Sequence, residues 1–165
     1  ALGANNLTIV NSGASDVSGV ISGTGGVIKQ GTGTLTISGN NTFSGATRID
    51  AGNLDISHNN ALGTTAGSTS INGGRLRLQG VSTAEPITVD ATVPGNGGIT
   101  GSSGTNELSG AVTLNANLDV RGNNITWSGG VTSSADQSIG LSTTFPDLLD
   151  WAPVQILQPF HEPCR

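Results

Sequence analysis

Three aspartates, Asp50, Asp55 and Asp90, are the residues of this sequence best suited to chemistry. Asp50 and Asp55 flank the turn Ala51-Gly52-Asn53. Carboxylates gathered on one face would suit calcium, which takes about six to eight oxygens. The same three aspartates alternate with Ile49, Leu54, Ile56 and Val89. Alternation is what strands with one apolar face and one solvated face produce. On this second reading they are solvent-facing structural positions, and no catalytic residue, cofactor or bound metal is expected. Arg75, Arg77 and Arg121 also fall in outward phase. Stacking would set them beside the acids, in exposed pairs worth about 0–1 kcal/mol each.

The two histidines add little. A hydrolytic triad needs a nucleophile within reach of an oriented base. Ser57 precedes His58, but serines are abundant and no G-x-S-x-G turn occurs. His161, Glu162 and Cys164 cluster only by proximity, and one short tail cannot close a tetrahedral metal site.

The elements that would position these side chains repeat. Leu35/Ile37 and Leu54/Ile56 are short apolar pairs at i, i+2, each introduced by a glycine, and they lie 19 residues apart. Gly74-Arg75-Leu76-Arg77-Leu78 is a third copy 22 residues on. Further pairs occur at Leu7/Ile9, Ile87/Val89, Val112/Leu114, Leu118/Val120 and Ile125/Trp127. A period near 20 residues marks a solenoid, each coil stacked on the last. Asn40-Asn41, Asn59-Asn60 and Asn123-Asn124 fall where coils should turn. The spacing predicts an all-β chain, a parallel β-helix of roughly seven coils over residues 1–140. Leu35, Ile37, Ile49, Leu54, Ile56, Leu76, Leu78, Leu118 and Val120 should be buried in one aliphatic stack.

Composition agrees. Glycine accounts for 26 of 165 residues, charged residues for 10% and aromatics for 3%. Six Lys and Arg stand against eleven Asp and Glu, a net charge of −5, which argues against a nucleic-acid partner. No apolar run is long enough for a membrane helix. The chain opens without a basic, apolar leader, so Ala1 reads as an internal start.

After about Gly140 the character changes. Residues 141–165 contain four of the six prolines and the single cysteine, and no glycine. Three readings stand: a foreign or frame-shifted extension, a cap on the last coil, or an oligomer contact.

The run Lys29-Gln-Gly31-Thr-Gly33-Thr-Leu35-Thr-Ile37-Ser-Gly39-Asn-Asn41-Thr-Phe43-Ser-Gly45, continuing to Ala51-Gly52-Asn-Leu54-Asp-Ile56, closely resembles the passenger-associated transport repeat of bacterial autotransporters. Asn60-Ala61-Leu62-Gly63 and Ile71-Asn72-Gly73-Gly74 look like its continuation. The resemblance is strong over residues 26–78, weaker to about 130, and does not reach the tail. It implies a right-handed parallel β-helix, secreted or displayed on the bacterial surface, that assists secretion of its passenger. It also implies an outer-membrane β-barrel translocator as partner in the full-length protein. No such barrel is present in the sequence, so the chain looks like a passenger fragment with a replaced end. The function expected is therefore structural and secretion-supporting, extending to an adhesin stalk with host-surface or self-association. A polysaccharide-active β-helix enzyme and a small hydrolase remain as alternatives.

Overall fold

Alternating short apolar pairs satisfy two demands at once: side chains turn inward, and backbone groups pair with the coils on either side. The computed structural model describes residues 1–93, 98–122 and 124–142. Among the described residues lie 17 strands and no helix.

The first long sheet stacks β1 (Leu7–Val10), β3 (Val27–Gln30), β5 (Thr47–Ile49), β7 (Thr69–Ile71), β10 (Ile87–Val89), β13 (Val112–Leu114) and β16 (Val131–Ser133). The second stacks β2 (Ala14–Val17), β4 (Thr34–Ile37), β6 (Asn53–Ile56), β8 (Arg75–Gln79), β11 (Ile99–Ser103), β14 (Leu118–Gly122) and β17 (Ile139–Ser142). A third, short sheet joins β9 (Ser82–Thr83), β12 (Asn106–Leu108) and β15 (Ile125–Trp127) on the remaining side of the later coils. Neighbouring strands pair in parallel, each with its counterpart one coil away. Seven strands in each long sheet give about six stacked turns, close to the roughly seven coils expected.

The core is a set of side-chain rows running along the solenoid axis. In the second sheet Leu35 pairs with Leu54, Leu54 with Leu76, Leu76 with Ile99 and Ile99 with Val120. Ile37, Ile56 and Leu78 form the parallel row. Across from them Ile49, Ile71, Val89 and Leu114 line up from the first sheet. All nine residues expected in the aliphatic stack are buried. Fully burying one such side chain contributes about 1.5–3 kcal/mol.

The last described strand, β17, ends at Ser142. The three readings of the tail, as extension, cap or oligomer contact, concern segments that lie outside the described residues.

Candidate functional site

The three candidate aspartates do not converge. Asp50 follows β5 at the end of the first sheet, and Asp55 lies in β6 of the second. Asp90 follows β10, in the same corner row as Asp50 but with the Asn72 position between them.

Each aspartate is engaged locally. Arg48 grips Asp50 with both arms of its fork, Nε to Oδ1 at 2.6 Å and Nη2 to Oδ2 at 2.7 Å. Gln30 Nε2 donates to Oδ2 at 3.1 Å and Asn72 Nδ2 to Oδ1 at 3.4 Å. An ionised carboxylate offers about four lone-pair sites, and four donors occupy them. The Arg48 hydrogen bonds hold the Asp50 pKa down at about 2. Asp90 Oδ1 accepts from Asn115 Nδ2 at 2.8 Å, and Ser134 Oγ donates to Asn115 Oδ1 at 3.3 Å. The corner thus carries a polar ladder that ties coil to coil. Among the described residues no group of three or more His, Cys, Asp or Glu is placed to hold a metal ion.

Asp55 corrects the solvent-facing reading. It is only 5% exposed. Its Oδ2 lies 3.2 Å from Arg77 Nη1 and accepts from Gln79 Nε2 at 2.9 Å, while Oδ1 is buried without a hydrogen-bond partner. Burial pushes its pKa up, outweighing the opposing pull of Arg77 and Gln79. The physical reason is stacking. The longer side chains of Arg77 and Gln79 on β8 reach over the aspartate and remove its water. Stacking does set one of the outward arginines beside a candidate acid, at Arg77–Asp55, while Arg121 pairs within its own strand with Asp119, 2.9 Å away.

His58 is spent on its own turn, its Nδ1 accepting from Asn60 N at 3.1 Å. His161, Glu162 and Cys164 lie outside the described residues.

Polar groups that the sequence reading passed over are buried inside the coil. Lys29 is fully buried in the first-sheet row, between Ile9 and Ile49. Its Nζ donates to the carbonyl oxygens of Gln30 and Gly31 at 2.8 Å each and to that of Ala51 at 3.3 Å. Desolvation lowers its pKa. Asn41 links three coils: Ile21 N donates to its Oδ1 at 2.8 Å, and its Nδ2 donates to Ala61 O at 2.7 Å. Asn106 accepts from Gly80 N and Val81 N in the coil before it. Glu85 is 3% exposed, with neither carboxylate oxygen hydrogen-bonded. The signal was available in the phase of the strands. Stepping forward by two from Val27, or back by two from Ile87, lands Lys29 and Glu85 on the inward face.

The stretch that carries Lys29, Asn41 and Asp55 is also where known proteins agree with this chain. Residues 27–56 match the family model of the passenger-associated-transport-repeat. The fold and this repeat together define a β-solenoid segment of an autotransporter passenger, a class secreted to the cell surface. The chain is similar to the adhesin BmaC autotransporter of Brucella suis biovar 1 (strain 1330). The two are 33% identical over 107 residues, with 56% of this chain and 3% of that relative covered. The chain therefore spans a few hundredths of the relative's length. No solved structure matches.

Proposed function

We propose that this segment is a structural, secretion-supporting part of a longer surface passenger, serving as an adhesin stalk with no catalysis of its own. In the full-length protein its export partner is an outer-membrane β-barrel translocator. The division near Gly140 into solenoid and atypical tail belongs to the same proposal.

The observation that carries the reading is the repeat over residues 27–56, which supplies β3 to β6, one full coil and the first two strands of the next, in register with the coils on either side. A rung of this kind offers the next segment of chain a ready template of backbone donors and acceptors. Solenoids gain stability by adding neighbour contacts one coil at a time, which suits folding as the chain emerges at the cell surface. The ion-paired acids favour this reading over an enzyme, since Asp50 has no lone pair left for substrate or metal.

The test places Leu54→Asp in the full-length passenger and measures surface display by accessibility to added protease. We expect display to fall, because a charge enters the central row. Undiminished display of a passenger whose 27–56 region is shown unfolded by hydrogen exchange would refute a secretion-supporting role.

A further inference from the structure

The corner between β7 and β8 is the bend Asn72-Gly73-Gly74. The Ile49 carbonyl oxygen, one coil before, accepts from Asn72 N at 2.9 Å and from Gly74 N at 3.2 Å. The Gly73 N–H between them has no hydrogen-bond partner among the described residues, and Gly73 is exposed. Only glycine suits the position. Its φ is 147°, and a Cβ there would stand 2.9 Å from the Asp50 carbonyl oxygen. The Asn72 side chain is half-buried and lightly held. Its Nδ2 donates to Asp50 Oδ1 at 3.4 Å, beyond the usual hydrogen-bond range. Asn41 and Asn106 differ on each count. They are buried, their amides are bonded at both ends, and they precede Thr42 and Glu107.

We infer that Asn72–Gly73 is a site of spontaneous covalent modification, at which the Asn72 amide becomes a carboxylate. The Gly73 nitrogen gives up its proton to solvent base and attacks the Asn72 side-chain carbonyl carbon. A bond forms between Gly73 N and Asn72 Cγ, the bond from Cγ to Nδ2 breaks, and ammonia leaves a cyclic imide behind. Water then opens the ring. Opening at the side-chain carbonyl gives aspartate. Opening at the main-chain carbonyl gives isoaspartate, whose backbone runs through the former side chain. A side chain on the following residue would crowd the attack, and this corner forbids one. The fold thus imposes the labile pair on itself.

Conversion changes the corner row. Asn72 stands between Asp50 and Asp90, one coil from each, a spacing of about 4.8 Å. Asp50 is ionised at neutral pH, since Arg48 holds its pKa at about 2. The new carboxylate replaces a donor to Asp50 with a like charge, which is destabilising between paired strands. Isoaspartate also lengthens the backbone between the two amides that share Ile49 O. Both products loosen the stack of β5, β7 and β10. This goes beyond the stalk role, which needs no modification: the stalk carries a slow covalent clock in one corner.

The test incubates the folded 165-residue chain in mildly alkaline buffer. Peptide mass mapping follows Asn72, and isoaspartyl-methyltransferase labelling detects isoaspartate. We expect the residue-72 peptide to gain the mass that separates an acid from an amide, ahead of Asn41, Asn53 and Asn106, with isoaspartate among the products. Asn72→Gln, whose longer side chain closes a larger ring slowly, should abolish the gain. Fragmentation separates Asn72 from Asn96, which also precedes a glycine and lies outside the described residues. Asn72→Asp should melt at a lower temperature than wild type. An Asn72 that stays intact in the folded chain, or converts only after unfolding in urea, would overturn the site. A melting temperature for Asn72→Asp equal to or above that of wild type would overturn the loosening.

Discussion

Glu85→Gln should remove a pH-dependent weakness from the solenoid. Glu85 sits at a corner just before β10, 3% exposed, with no hydrogen bond to either carboxylate oxygen. Burial raises its pKa from 4.5 to about 7. Below the unfolded value both states hold the proton and the group is neutral to stability. As pH rises from there, the unfolded chain releases its proton while the folded chain keeps it, so stability falls. The loss is complete once the pH passes the folded value, and it amounts to about 3 kcal/mol. Asp50, held at about 2, is already ionised throughout this window and contributes nothing to the slope. The assay is urea unfolding followed by far-UV circular dichroism, for wild type and Glu85→Gln, between about pH 5 and pH 8. The variant buries an amide whose groups lack partners, a cost of about 1–3 kcal/mol that does not vary with pH. The informative quantity is therefore the change in the wild-type-minus-variant difference across the range. It should shift by about 2–3 kcal/mol in favour of the variant as pH rises. A difference that stays flat within about 0.5 kcal/mol would show that the carboxylate is solvated or paired in the folded chain, and the reasoning from burial would fail.

Leu54→Ala should cost about 2–5 kcal/mol, since Leu54 is fully buried between Leu35 and Leu76, and urea unfolding measures it. Gly52→Ala should cost about 1–3 kcal/mol and lower the melting temperature: its φ is 68°, and a Cβ would stand 2.9 Å from Lys29 Nζ and nearer still to the Gly31 and Gly33 carbonyl oxygens. Asp55→Asn should leave stability at neutral pH unchanged or higher. The folded pKa of Asp55 is raised, so the ionised form weakens the fold as pH climbs through that value. A loss above about 1 kcal/mol on Asp55→Asn would mean that the Arg77 pair outweighs desolvation.

The apolar rows were legible in the sequence because they depend on one local rule, alternation, repeated at a fixed period. Leu35, Leu54 and Leu76 could be placed on one another from spacing alone. The third side was harder to read. Ile125–Trp127 carries an apolar pair, but Ser82–Thr83 and Asn106–Leu108 are two and three residues long and hold the buried polar Thr83 and Asn106, so no apolar pair announces them. Asp55 was misjudged for a related reason. Alternation correctly placed it on the outer face, but burial there depends on the neighbouring coil. Arg77 and Gln79 cover it, and their reach is not a property of the Asp55 segment. The candidate acids were likewise visible as acids, while their dispersal over two sheets and the bonds that Gln30 and Asn72 of neighbouring coils make to Asp50 are tertiary facts.

The buried polar groups address a problem that the aliphatic rows create. Successive rungs present nearly the same apolar side chains, so a slip by one coil would set Leu76 where Leu54 belongs at little apolar cost. Such degeneracy is where stacked, repetitive strands lose register. Asn41 is not interchangeable in this way. Its amide is bonded to Ile21 N in the coil before and to Ala61 O in the coil after. The slipped arrangement would bury that amide without those partners, at about 1–3 kcal/mol. Lys29 adds to the discrimination, because its ammonium bridges the carbonyls of its own corner to Ala51 O of the next. Both residues fall within the matched repeat, residues 27–56. The repeat thus combines two tasks: apolar rows that hold any rung to any other, and a few interior hydrogen bonds that choose which rung comes next.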